Sequence, residues 1–273
     1  MRVIGLFTSW GAEDWAPLAI KNHLKICDVI YVAIEPHCEE LRRFRDNTFE
    51  RIAEIDDERI KFLPKVEINN NPIVTKCDML NVVLNYVETG DVLMLCDSDE
   101  FYDDNAVTEI HSMLDAEWDM LRVKDRFFCI NFDWYVGGSH GRFWKIKPGA
   151  RFYPSQHMSP EPLVVPTILN ASPMFHYSML TNPEMREVYW ECYGRHMQAE
   201  WQREVYMKWD LDATPEEMAK LAFQCYKISG TNAFWFNSSN ITQDYEPPYL
   251  REYLGKHPVE ELRKDDFRKE KNG

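Results

Sequence analysis

Residues 91–100, Asp-Val-Leu-Met-Leu-Cys-Asp-Ser-Asp-Glu, decide which fold this sequence predicts. The apolar run 91–96 predicts a buried strand, and it ends abruptly in acid at Asp97 and Asp99. In an open α/β sheet, ligands bind outside the carboxyl ends of the strands, which is where these two aspartates would lie. Carboxylates one residue apart on a turn can surround one hard cation, so the pair predicts a site for Mg²⁺ or Mn²⁺.

The chain before this strand alternates short apolar runs with helical periods, which is the pattern of βαβ units and a mainly parallel sheet. Pro17 is tolerated in the first turn of a helix, and Gly90 suits a left-handed turn just before the fourth strand. The predicted elements are strands at 3–8, 29–34 and 59–63, and helices from about 13, from about 39 to 55 and from 73 to 87.

The second half of the chain has a different pattern of residue types. Residues 118–180 contain short aromatic strands punctuated by glycine and proline, and residues 183–227 follow a helical pattern rich in Trp, Tyr and Met. We therefore predict an α/β domain over 1–180, with a first half at 1–100 and a second half at 101–180. A helical C-terminal extension at 181–273 is expected to pack on the same domain.

Composition and charge narrow the class of protein. Of 273 residues, 45% are hydrophobic, and 45 acidic residues against 31 basic ones give a formal net charge of −14. Such an acidic chain is a poor partner for nucleic acid, whose phosphates attract basic surfaces. We find neither an apolar run of the roughly 18–20 residues that cross a bilayer nor a signal peptide. Seven cysteines without a C-x-x-C pair suit the cytoplasm, so a cytoplasmic enzyme is expected.

Taken alone, the D-x-D pair is most simply explained as a solvated turn in which an aspartate caps the next helix. The surrounding motifs favour a functional interpretation. Lys76 and Asn81 on the preceding helix, the Gly90-Asp91 turn and the strand that ends in Asp97-Ser-Asp-Glu100 resemble the central segment of family 2 glycosyltransferases. The first strand with its polar loop, Thr8-Ser-Trp-Gly-Ala-Glu-Asp14, and the acid Glu35 after the second strand are also similar to that family.

A second block of motifs extends the resemblance to about residues 2–180. One branch of the same family has an Arg-led strand, then a His-Glu pair, then a His-Tyr step. The corresponding segments here are Gly141-Arg-Phe-Trp-Lys145, Arg151-Phe-Tyr-Pro154, Gln156-His-Met-Ser-Pro-Glu161 and Phe175-His-Tyr177.

The resemblance implies a GT-A fold, an α/β architecture with a mixed, mostly parallel sheet flanked by helices. It implies a GT-A catalytic domain over 1–180, with a nucleotide-binding half at 1–100 and an acceptor half at 101–180. It also implies a hexosyltransferase-like enzyme that moves a sugar from a nucleotide-diphosphate-sugar donor to an acceptor hydroxyl, with inversion, in glycan or polysaccharide biosynthesis. The donor would be a UDP- or GDP-sugar, and the acceptor a glycan, a lipid-linked glycan or a protein. Mn²⁺ or Mg²⁺ would steady the departing diphosphate.

Roles for individual residues follow from the resemblance. Glu161 is the expected general base, with Asp133 and Glu100 as substitutes, and Asp99 is the expected direct metal ligand. The residues expected to bind the nucleotide sugar are Thr8, Ser9, Glu35, Lys76, Asp97 and Ser98, and those expected to bind the metal are Asp97, Asp99 and His176. The simpler alternatives are a packed aromatic-cluster histidine at 176, a solvated lysine at 76 and an exposed turn acid at 161.

Aromatic residues of the second half could form a stacking surface for the acceptor sugar; the candidates are Trp134, Tyr135, Trp144 and Tyr153. Other classes remain alternatives. A haloacid-dehalogenase-type phosphatase normally has Thr or Val where Phe101 stands, and a GT-A-like nucleotidyltransferase needs a glycine-rich basic first loop, whereas Ser9–Asp14 has one glycine and no base. A non-catalytic carbohydrate- or nucleotide-binding module is the third alternative.

Overall fold

The computed structural model describes residues 1–13, 15–44, 46–69, 71–128, 134–153, 157–169, 173–176, 183–194 and 241–243. The chain divides into two compact units. The first contains residues 1–125 and 139–175, and the second contains residues 126–138 and 176–273. The predicted boundary near residue 180 stays a prediction.

Helices and strands alternate over the first hundred residues and strands dominate afterwards. The strands are β1 (Val3–Ser9), β2 (Val29–Ile34), β3 (Ile60–Phe62), β4 (Val92–Asp97), β5 (Glu100–Phe101), β6 (Met120–Phe128), β7 (Trp134–Lys145), β8 (Arg151–Tyr153), β9 (His157–Ser159), β10 (Thr167–Ile168), β11 (Met174–His176) and β12 (Ile241–Gln243). The α-helices are α1 (Ala16–His23), α2 (Thr48–Ala53), α3 (Pro72–Val83), α4 (Asp104–Leu114) and α5 (Pro183–Cys192), and 3₁₀ helices cover Glu39–Arg43 and Leu84–Tyr86.

The main sheet of the first unit is mixed. Its strands run in the order β3-β2-β1-β4-β7-β6-β11-β5, and β8 and β9 form a separate antiparallel pair. The first four strands of this order are parallel, and β7 joins β4 antiparallel. The predicted α/β class with a mixed, mostly parallel sheet flanked by helices is therefore confirmed, and the architecture is GT-A-like.

Helices cover both faces of the parallel strands. On one face α3 buries Cys77, Leu80 and Val83 in the same core cluster as residues of β1 and β4. Successive side chains of a strand point to opposite faces, so Phe7, which contacts His23 at the end of α1 with ring centroids 6.2 Å apart, lies on the other face. Gly5 of β1 allows the close approach there, because a Cβ at this position would lie 3.0 Å from the Sγ atom of Cys27.

The predicted strand positions are confirmed to within one or two residues, but the predicted helix at 39–55 is wrong. A 3₁₀ helix and α2 occupy its two ends. Between them Asp46 accepts hydrogen bonds from the backbone N–H groups of Gly11 (3.1 Å) and Thr48 (2.9 Å). Such side-chain bonds to the backbone compete with a continuous helix.

The first helix also begins later than predicted. It starts at Ala16, with Pro17 in its first turn, because Glu13 instead accepts a hydrogen bond from the backbone N–H of Asn47 (3.0 Å). Of the helical pattern predicted at 183–227, residues beyond 194 lie outside the described part of the chain. No helix within the described residues is both long enough and apolar enough to span a membrane.

Two asparagine side chains fasten distant segments to helices. The Asn81 amide accepts from the backbone N–H of Phe152 and donates to its carbonyl, both at 2.9 Å, and so ties β8 to α3. The Asn22 amide makes the same pair of bonds with Tyr102, both at 2.7 Å, and ties the segment after β5 to α1. The motif residue Asn81 therefore has a structural explanation.

Candidate functional site

The carboxyl ends of β1, β2 and β4 meet at one edge of the sheet. In the strand register Thr8 lies opposite both Ala33 and Asp97, and Ser9 lies opposite Ile34. Glu35 is the next residue after β2. The sheet therefore brings together Thr8, Ser9, Glu35 and Asp97, as the sequence predicts for a nucleotide-sugar site.

The acid turn, residues Asp97 to Glu100, becomes more buried along its length. The Asp97 side chain is 20% exposed, Asp99 is 8% exposed as a whole residue, and Glu100 is completely buried. The next acid, Asp103, caps α4 by accepting from the backbone N–H of Ala106 (2.6 Å). Acids that look alike in sequence thus have different environments.

A buried arginine from β7 joins both ends of the acid turn. Arg142 donates from Nε to Glu100 Oε2 (2.8 Å), from Nη2 to Glu100 Oε1, and from Nη2 to Asp97 Oδ2 (3.3 Å). Burial acts to lower the pKa of Arg142, but the charges of Glu100 and Asp97 outweigh it and raise that pKa above its usual value. Glu100 is thus a buried ion-pair partner, and its role as substitute general base is wrong; Asp133 lies outside the described residues.

Lys76 of α3 contacts the same aspartate from the opposite side. Its Nζ lies 3.2 Å from Asp97 Oδ1, and its side chain is only 12% exposed. The interpretation of Lys76 as a solvated helix charge is therefore wrong. Asp97 lies between two cations, one on each carboxylate oxygen.

His23 at the end of α1 supports the turn from the other face of the sheet. Its ring is fully buried and contacts the rings of Phe7 and Tyr102. Burial lowers the pKa of His23 to about 3, although the charge of Asp97 opposes the shift. The imidazole is therefore neutral near pH 7.

This shift predicts a specific pH dependence of stability. The unfolded chain binds a proton at His23 below about pH 6.5 and the folded chain does not, so the free energy of unfolding falls as the pH drops through this window. Between pH 7 and pH 5 we expect a loss of about 2 kcal/mol from this residue. Urea unfolding at both pH values measures it: His23→Gln should lack this loss, and the exposed His111→Gln should retain it. Equal slopes in His23→Gln and the wild type would contradict the neutral buried ring.

Where β1 and β2 end, the edge of the sheet carries two hydroxyl groups and a carboxylate. Within the described residues, the side-chain oxygens of Thr8 and Ser9 are buried without a hydrogen-bond partner, a state that costs free energy unless a ligand supplies one. The nearly buried carboxylate of Glu35 lies 3.6 Å from Arg42 Nη2 and 3.8 Å from Lys65 Nζ. These groups can hydrogen-bond a base or a ribose.

The structure describes Glu161 and His176, but it does not test the roles that the sequence predicts for them. Glu161 is exposed on the segment after β9, which Asp119 holds by accepting from the backbone N–H groups of Leu163 (2.7 Å) and Val164 (3.1 Å). Its role as base stays a prediction. His176 ends β11 and belongs to the second unit, so its place in the metal shell also stays a prediction.

Among the aromatic candidates for the acceptor, Trp144 is wrong, because its side chain lies in the core and stacks edge-on with Phe152. Tyr153 is half-exposed and remains available. The side chains of Trp134 and Tyr135 lie outside the described part of the structure.

The donor set of the acid turn fits a divalent cation. Asp97 and Asp99 supply the oxygen ligands that hard cations prefer. Three carboxylates (Asp97, Asp99, Glu100) against two cations (Lys76, Arg142) leave one negative charge, which further favours a cation there.

Sequence reasoning missed Asn22 and His23, which support the turn. Each is a lone polar residue on a helix, and only the tertiary contact with Tyr102 gives it a role. The buried contacts of Arg142 with Glu100 and Asp97 show that this arginine forms a salt bridge.

Comparisons with known proteins found distant structural likenesses only. No protein-family model and no curated protein matches the chain. TarS (residues 1–349) from S. aureus is 10% identical with a TM-score of 0.44, over 85% of this chain and 82% of that one. A 4-diphosphocytidyl-2C-methyl-D-erythritol synthase is 10% identical with a TM-score of 0.36, over 53% of this chain and 74% of that one. A mannose-6-phosphate isomerase from Helicobacter pylori is 15% identical with a TM-score of 0.33, over 50% of this chain and 55% of that one. At these levels no activity can be transferred, and the fold assignment depends on this chain's own strand order.

Proposed function

We propose that the chain is a metal-dependent glycosyltransferase that moves a sugar from a nucleotide-diphosphate-sugar donor to an acceptor hydroxyl. The observation that carries the proposal is the convergence of Thr8, Ser9, Glu35 and the acid turn at the carboxyl ends of three parallel strands. Ligands bind at this edge in open α/β sheets. The resemblance to family 2 glycosyltransferases supports the same assignment.

The residues divide along the edge according to their chemistry. Glu35 would accept hydrogen bonds from the base, while the buried hydroxyls of Thr8 and Ser9 would bond the base or ribose. Asp97 and Ser98 would hold the ribose and diphosphate end, and Asp97 and Asp99 would hold Mn²⁺ or Mg²⁺. When bound, the divalent cation supplies Lewis-acid neutralisation of the departing diphosphate.

The acceptor hydroxyl needs a base because its pKa is high. Glu161 is exposed, so its carboxylate can reach an incoming acceptor and take the proton as the new bond forms. Direct attack on the anomeric carbon would invert the configuration. The acceptor would be a glycan, a lipid-linked glycan or a protein, and the cysteine spacing supports a cytoplasmic location.

Thermal unfolding with metal and nucleotide tests this function directly. We expect a rise in melting temperature that needs both Mn²⁺ and either UDP or GDP, because Asp97 and Asp99 would hold a cation that neutralises the diphosphate. Slow hydrolysis across a panel of nucleotide sugars would then identify the donor. Absence of a shift with every nucleotide would overturn the proposal, and pyrophosphate release from a nucleoside triphosphate and a sugar phosphate would indicate a nucleotidyltransferase instead.

Replacing Glu161 with glutamine should lower transfer to the acceptor by about 10²–10⁴-fold, since a general base typically contributes that much. Donor affinity should stay unchanged, because Glu161 is assigned to the acceptor. Steady-state kinetics together with calorimetric binding of UDP or GDP separates the two effects. The exposed Glu117→Gln is the matched control. Unchanged turnover in Glu161→Gln would remove this residue from the mechanism.

A further inference from the structure

We propose that Lys76 is an exchangeable counter-ion: it neutralises Asp97 and moves to the donor's diphosphate when Asp97 takes a divalent cation. Metal binding and diphosphate binding would then be coupled through this one side chain. The exchange rests on the proposed function, because it needs a diphosphate donor at the acid turn.

The contacts of Asp97 give the first reason. Each of its carboxylate oxygens faces a cation, with Lys76 Nζ 3.2 Å from Oδ1 and Arg142 Nη2 3.3 Å from Oδ2. A cation that uses Asp97 as a ligand must therefore share or replace one of these partners. Like charges at this distance repel, so replacement is favoured over sharing.

The two cations differ in how firmly they are held. Arg142 is buried and grips Glu100 with two nitrogen atoms, so moving it would leave the Glu100 carboxylate buried without its partner. Lys76 lies on α3, and its ammonium ends a flexible four-carbon stem that can turn without disturbing the helix. Lys76 is thus the partner that can leave.

The charge of the acid turn gives the third reason. Asp97, Asp99 and Glu100 carry three negative charges, and Arg142 neutralises one of them permanently. The remaining two match one divalent cation once Lys76 has left. A lysine ammonium is an effective phosphate ligand, and the donor brings a diphosphate to the same edge. After the exchange, the divalent cation balances the negative charge of the acid turn, and the diphosphate balances the positive charge of Lys76.

Coupling of this kind is reciprocal: Mn²⁺ should strengthen diphosphate binding by the same factor by which the diphosphate strengthens Mn²⁺ binding. Lys76→Met should bind Mn²⁺ alone about tenfold more tightly than the wild type, and should bind UDP or GDP at saturating Mn²⁺ about tenfold more weakly. Lys76→Arg keeps the charge and should bind Mn²⁺ alone as the wild type does.

Titration of Mn²⁺, followed by electron paramagnetic resonance of the free ion, and calorimetry of UDP and GDP measure the two affinities. Lys61→Met is the matched control, because it removes the same charge from an exposed position on β3, three strands from β4. At the usual strand spacing this is about 14 Å, beyond the Debye length at physiological salt. Both affinities should be nearly unchanged in Lys61→Met.

The outcomes separate the exchange from the function it presupposes. Equal Mn²⁺ affinity in Lys76→Met and the wild type would overturn the exchange, as would an equal gain in Lys61→Met. Tighter Mn²⁺ binding with unchanged diphosphate affinity would overturn it too, since Lys76 would then not reach the donor. A wild type that binds Mn²⁺ but no UDP or GDP would overturn the proposed function, and the exchange with it.

Discussion

Replacing Arg142 with alanine is expected to lower the free energy of unfolding by about 3–5 kcal/mol, the usual cost of removing one partner from a buried ion pair. Arg142 is the partner of Glu100, whose carboxylate is completely buried, and of Asp97. Without the guanidinium, Glu100 would have to be protonated or exposed, and either change disrupts the acid turn. Denaturant unfolding monitored by circular dichroism measures the loss.

Two further variants make the Arg142 result specific. Arg51→Ala removes an exposed arginine whose partner is Glu54 (2.9 Å) and should cost less than about 1 kcal/mol. The double variant Arg142→Met with Glu100→Gln should recover part of the stability, because no unpaired charge remains at position 100. A loss in Arg142→Ala no larger than that in Arg51→Ala would contradict the buried cluster.

Replacing Asp99 with asparagine should reduce sugar transfer by about 10³-fold, or roughly 4 kcal/mol of transition-state stabilisation. The substitution keeps the shape of the side chain at position 99 and removes the charge that would hold the cation. The thermal shift that needs both Mn²⁺ and nucleotide should vanish with it, while the melting temperature without ligands changes little. Kinetics with the identified donor and the thermal-shift assay together measure both effects.

Asp104→Asn is the matched control for Asp99→Asn. Asp104 lies five residues further along the same acidic stretch, but its side chain is exposed and pairs with Lys25 (2.6 Å). We expect transfer and the ligand-dependent shift to survive in this variant. If Asp99→Asn kept the wild-type response to metal and nucleotide, the acid turn would not be the cation site.

The strands of the first half and their common edge could be predicted from sequence because both depend on local patterns. The apolar runs that become β1, β2 and β4 are continuous and mostly buried, and a polar residue ends or follows each of them. Parallel pairing then brings those ends together, so Thr8, Glu35 and Asp97 could be assigned to one site without knowing any contact. The break in the predicted helix at 39–55 was not predictable in this way, because Asp46 bonds to Gly11, 35 residues earlier.

The supporting contacts of the site could not be predicted because their partners are far apart in the chain. Arg142 lies 42 residues after Glu100, and Asn22 lies 80 residues before Tyr102. The acids of the stretch 97–104 look equivalent in sequence, and only tertiary packing makes Glu100 an ion-pair partner and Asp103 a helix cap. Glu161 illustrates the remaining gap, since an exposed acid reveals its role only when an acceptor is bound.

Each of the two asparagine contacts depends on the amide nitrogen as much as on the amide oxygen. A side-chain amide copies a peptide unit because it can donate and accept at once, as Asn22 does with Tyr102 and Asn81 with Phe152. Deamidation would replace the NH₂ group by an oxygen, and a carboxylate would then face the backbone carbonyl that it can no longer bond. A molecule deamidated at either position would thus hold the segment after β5 or β8 less firmly while every apolar contact stayed in place, and a mass increase of about one dalton would reveal it.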